Sequence, residues 1–209
     1  YTIYRYLNKL SVTFLKINKN HRTSLHCHPK KKTGFIVLEG KAKIQLGLWE
    51  DTAEYFSAPS KLMIRTGLFH SIKGVSENGV SALEFETPMD KHDLVRFKDD
   101  YGRRSKPYEG KKFSKSISPN FMKFKRPVFG KDQSYKIGKV KIFLEVHQNF
   151  KKLLNKNDRT IFAILNGKII DNKGRNVISY GDIIRTGTLR KLSQVFKIKG
   201  KLTVLRVSG

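Results

Sequence analysis

Three of the chain's six histidines have a spacing that suits metal chemistry: His26 and His28 in the run LHCH, and His70 at the end of IRTGLFH. Successive side chains of a β-strand point to opposite faces. On a strand, His26 and His28 therefore share one face and Cys27 takes the other, where it is expected to pack rather than ligate. A third imidazole from a later strand completes a set of three neutral nitrogens. Such a set can hold zinc, iron, manganese or nickel and leave positions open for water or a ligand. His21, His92 and His147 have no comparable context and are expected on the surface or in loops.

Short strands must position these residues. KAKIQLGLW alternates Ala42, Ile44, Leu46 and Leu48 against Lys41, Lys43, Gln45 and Gly47, a half-buried strand pattern. KVKIFLEVH does the same with Val140, Ile142, Leu144 and Val146, and ENG at 77–79 and NKG at 172–174 mark turns between such runs. No long helical period interrupts them, so the expected fold class is all-β, an antiparallel sandwich or barrel.

The pattern is duplicated. TGFIVLEGK at 33–41 returns as TIFAILNGK at 160–168, IRTGLFHSI at 64–72 as IRTGTLRKL at 184–192, and LHCH at 25–28 has a counterpart in LEVH at 144–147. The matches keep their order at similar offsets, which predicts two related units: 1–90, a polar segment and linker at 91–118, and 119–209. The positions matching the three histidines in the second unit are then Glu145, His147 and Arg190. A guanidinium repels a divalent cation, so this unit is expected to be mainly structural. Arg190 would pair with Glu145 or bind an anion.

Composition bounds the function. The 209 residues suffice for one large domain or two of roughly 100 each. No apolar run approaches the roughly 18 residues of a spanning helix, and the first residues lack the organisation of a signal peptide. The single cysteine excludes an internal disulfide and fits a reducing, cytoplasmic compartment. The net charge of +26 attracts anions, but its lysines are spread along the chain without an aromatic-and-basic recognition motif. The charge is thus read either as a solvated surface or as an attraction for small anionic ligands, and nucleic acid and membrane are not expected partners.

His26, His28, Gly40, Gly67 and His70, with Gly167 and Gly187 repeating the framework, resemble the motifs of the cupin superfamily. The resemblance implies two tandem cupin barrels, that is double-stranded β-helix jelly rolls, and by analogy a homodimer. DLVRFKDDYGR at 93–103 resembles a signature ending the cupin domain of type II mannose-6-phosphate isomerases, a domain that also follows some mannose-1-phosphate guanylyltransferases. SLHCH and IRTGLFH are similar to that family's histidine motifs, with Arg65 replacing a proline. The glutamate that the resemblance places among the metal ligands falls at Thr33, after an expansion that supplies Lys30, Lys31 and Lys32.

The resemblance implies metal-assisted isomerisation of a sugar phosphate, in which a base carries a proton between adjacent carbons. Glu84 is the candidate base, and Lys32, Arg65 and Arg96 are candidate phosphate anchors. Arg96, Asp99, Asp100, Tyr101 and Arg103 also suit a capping segment held by ion pairs. Two other functions stay open: a non-catalytic sugar- or anion-binding bicupin, which Thr33 favours, and a three-histidine oxygenase.

Overall fold

The structure is a computed structural model describing residues 1–102 and 122–208; Arg103 and the remainder of the expected linker lie outside the described residues. The chain divides into two compact units, Tyr1–Phe124 and Lys125–Gly209. Both are built mainly from antiparallel strands, giving an all-β protein of two tandem units. Among the described residues no helix is long and apolar enough to cross a membrane.

The first unit contains β1 (Thr2–Tyr6), β2 (Leu10–Ile17), β3 (Leu25–Cys27), β4 (Lys32–Leu46), β5 (Glu54–Ser57), β6 (Ser60–Ile64), β7 (His70–Gly74), β8 (Val80–Thr87) and β9 (Val95–Lys98). The long strand β4 organises them. Its first half pairs with β8 and β6, and its second half with β7 and β5. One strand thus serves two sheets, β1-β2-β8-β4-β6 and β5-β4-β7-β3-β9.

The change of sheet follows a register shift between Val37 and Glu39 and comes at Gly40, whose φ is +78°. An extra residue at such a point bends and twists the strand. Gly40 is needed there because of its φ and because a Cβ would lie 2.2 Å from the Gly79 carbonyl oxygen. Ile17, Val37, Ala42, Ile44, Ile72 and Val80 pack together as the unit's apolar cluster. The alternation expected from Lys41 onward holds to Ile44; Gln45 is buried and Leu46 only partly so, the chain then turns at Gly47 (φ +110°), and Leu48 lies exposed beyond the strand.

The second unit contains β10 (Gln133–Ile137), β11 (Val140–His147), β12 (Ile161–Ile170), β13 (Asn176–Ser179), β14 (Ile183–Arg185) and β15 (Lys197–Ser208), with helices α1 (Lys151–Leu154) and α2 (Thr186–Ser193). Its order β10-β11-β15-β12, with β13 and β14 on β12, reproduces β1-β2-β8-β4, with β5 and β6 on β4. Gly167 matches Gly40: it follows a register shift, has φ +94°, and a Cβ would lie 2.4 Å from the Lys201 carbonyl oxygen.

The match between 33–41 and 160–168 therefore falls on equivalent strands. The match between 64–72 and 184–192 does so only at its start, Ile64 on β6 and Ile184 on β14, since His70 begins β7 while Arg190 lies on α2. The third is corrected. LHCH starts on β3, whereas LEVH ends β11, which by its partners is the counterpart of β2. Where the first unit has β3 and β7, the second has α1 and α2. Leu153 and Leu189 from these helices pack with Phe162, Ile164, Leu202 and Val204.

Candidate metal centre

On β3, Leu25 and Cys27 are buried on one side while His26 turns to the other, and His28 follows in the same phase. Burial pushes the Cys27 thiol up. His26 is paired in register with His70 on β7 and with Arg96 on β9. The Gly67 N–H donates to the His28 carbonyl at 2.8 Å, which ties the turn before His70 to the end of β3. The three rings gather with centroids 4.6 Å (His26–His70), 5.0 Å (His26–His28) and 5.4 Å (His28–His70) apart. One nitrogen of each lies within 4.8 Å of the others.

The backbone selects which nitrogens these are. The Nδ1–H groups of His26, His28 and His70 donate to the carbonyls of Ser24 (2.7 Å), Asp93 (2.6 Å) and Leu68 (3.0 Å). A ring that donates from Nδ1 keeps its lone pair on Nε2. His70 Nε2 is buried without a hydrogen-bond partner. Burial, then the neighbouring His70 and His28, holds His26 well below the usual imidazole range; burial and Lys31 lower His28; burial lowers His70 to about 4. Three neutral, pre-oriented imidazoles with carbonyl-bound second nitrogens fit a divalent metal ion.

The wall beside them is polar. Thr33 is 1% exposed, and its Oγ1 is buried without a hydrogen-bond partner. Lys31 is 3% exposed and paired with Glu86 at 2.5 Å. Asp93 accepts from the backbone N–H groups of Lys30 and Lys31, at 3.0 and 2.7 Å, while its carbonyl holds His28. Phe35 packs edge-on to His70 with centroids 6.1 Å apart.

The sequence-derived candidates separate clearly. Glu84 lies opposite Phe35 in register and so on the inward row of β8, half-buried. Arg96 lies directly beside His26, and its charge helps lower that histidine. Lys32 begins β4 in the phase opposite to Lys31 and Thr33, and Arg65 is exposed in the turn after β6. Asp100 pairs with Arg22 at 2.6 Å and Asp99 accepts from the Tyr101 N–H, so these signature residues hold the segment after β9. Lys31, which belongs with Lys30 and Lys32 to the candidate anchors, is paired with Glu86, and Glu86 and Asp93 are not among the residues singled out from the sequence. The period of two running back from Thr33 places Lys31 inward, a signal present in the sequence.

Arg190 does not partner Glu145. It lies exposed on α2, bonded to the carbonyls of Leu154 and Lys156 and paired with Asp158. Glu145 instead receives Arg206 from β15, by Nε at 2.8 Å and Nη2 at 2.5 Å, and His147 Nε2 at 3.0 Å. His147 is thus buried, contrary to expectation, whereas His21 and His92 are exposed. The Arg206 guanidinium also stacks 3.8 Å above the Phe143 ring. This is a closed ion-pair network, without the convergent lone pairs of the first unit.

No protein-family profile matches the chain, and no curated protein matches it. Solved structures do resemble it. A Bacillus halodurans protein shares 21% identity over 39% of this chain and 64% of its own, with a TM-score of 0.37. A conserved Klebsiella pneumoniae protein with a double-stranded β-helix domain shares 13% over 47% of this chain and 82% of its own, TM-score 0.42. KdgF from a Halomonas species shares 14% over 41% and 76%, TM-score 0.37. The chain thus spans less than two thirds of the Bacillus protein's length.

Proposed function

We propose that the first unit is a metal-dependent centre for a small oxygen-rich ligand, built on His26, His28 and His70, and that it serves sugar-phosphate isomerisation. The observation that carries the metal reading is the set of Nδ1–H bonds to carbonyls, which leaves each Nε2 lone pair available. A bound divalent ion supplies Lewis acidity toward carbonyl and hydroxyl oxygens.

The chain's own residues do the rest. Glu84, on the inward row of β8, takes the proton from the carbon beside the carbonyl of the open-chain sugar and returns it to the former carbonyl carbon. A hydroxyl proton moves between the two oxygens to complete the exchange of aldose for ketose. Arg96, beside His26, anchors the phosphate. A second reading, a sugar- or anion-binding protein without turnover, is favoured by Thr33, which brings no carboxylate to the ligand set.

Interconversion of mannose 6-phosphate and fructose 6-phosphate by metal-loaded protein tests the reaction. Turnover that falls at least about a hundredfold in Glu84→Gln supports it, the scale of general-base catalysis. Metal-loaded protein that binds these sugars without converting them supports the binding reading instead.

A further inference from the structure

Within that metal reading, on which this step rests, we infer that Glu86 supplies the negative charge beside the three-histidine cluster from the neighbouring strand and that Lys31 is the counter-ion holding it in place. Thr33 on β4 and Ser11 on β2 both lie directly opposite Glu86 on β8. Side chains paired in this way have Cβ atoms about 4.5–5.5 Å apart, so Thr33 and Glu86 stand side by side on one face of the sheet, and only Glu86 brings a carboxylate to it. Thr33 is 1% exposed with Oγ1 unpartnered, which marks that face as polar and buried there.

Glu86 Oε1 accepts from Lys31 Nζ at 2.5 Å, and Oε2 from the Ser11 hydroxyl at 3.3 Å. Asp93 ties this pair to the histidines: its carboxylate accepts from the Lys31 N–H at 2.7 Å while its carbonyl accepts from His28 Nδ1–H at 2.6 Å. Three neutral imidazoles bring no negative charge to a divalent ion, and Glu86 is a carboxylate whose field reaches them. The two halves of the ion pair therefore have opposite effects on metal: Glu86 attracts it, while Lys31 repels it and competes for the carboxylate.

Calorimetric titration of the metal-stripped protein with Zn2+ at neutral pH reads this directly. Glu86→Gln is expected to weaken binding by about tenfold or more, the scale of lost support around a metal. Lys31→Met is expected to tighten it, and Thr33→Glu added to Glu86→Gln to restore most of the loss. Circular dichroism of each variant establishes that it is folded, and the Thr33→Glu restoration decides the matter if Lys31→Met does not fold. A purely structural ion pair would move both single variants the same way, or neither, with no restoration; that result overturns the role of Glu86. Wild type that takes no Zn2+ overturns the metal reading itself.

Discussion

At Glu145 two opposing effects set the carboxyl. Burial raises it, but hydrogen bonds from His147 and Arg206 outweigh burial and bring it from an ordinary 4.5 to about 2. The folded value lies below the unfolded one, so the unfolded chain binds this proton first as pH falls. The stabilisation is complete above 4.5, is lost as pH falls toward 2, and totals about 3 kcal/mol. Urea unfolding at about pH 6 and pH 3 should show wild type losing about 2 kcal/mol more than Glu145→Gln. Equal losses would count against the network. Arg206→Leu, which leaves that buried carboxylate short of its cation, should cost about 3–5 kcal/mol near neutral pH in the same assay.

The bends of β4 and β12 depend on one glycine each. Gly167→Ala places a Cβ 2.4 Å from a backbone oxygen at φ +94°, so it should lower stability by more than about 1 kcal/mol. Gly187, in the first turn of α2, has ordinary φ, and only the Asp158 carboxyl carbon, at 4.0 Å, lies within reach of its Cβ; alanine there should raise stability by up to about 1 kcal/mol. Thermal unfolding of the two variants checks both signs. Gly40 and Gly167 and the strands around them were legible in the sequence because the repeats at 33–41 and 160–168 span nine residues with a glycine at a fixed place. LHCH and LEVH share only two letters, too few to distinguish a counterpart of β3 from one of β2. The helices escaped notice because α1 spans four residues and α2 eight, too short for a helical period to show. In the site, His26 and His28 were readable from their spacing, and His70 from the motif resemblance. The inward phase of Lys31 was readable too, but its pairing with Glu86 was not, because that depends on the register between β4 and β8, which a local pattern does not encode.

The tandem units carry different chemistry on one strand order: an open set of nitrogen lone pairs in the first, a closed ion-pair network in the second. The net charge of +26 adds a general attraction for anions. Retention of duplex DNA at low salt should be independent of sequence and fall by about a thousandfold or more between about 50 and 200 mM salt, as phosphate-driven binding does. Affinity that survives this rise, or that discriminates sequences, would contradict the small-ligand reading. The most direct test of the metal centre is elemental analysis of protein purified without added metal, beside a folded His26→Ala/His28→Ala variant. About one divalent ion per chain in wild type and none in the variant is the predicted result. Wild type without metal, or a variant that keeps it, would contradict the assignment of His26, His28 and His70 as the ligands.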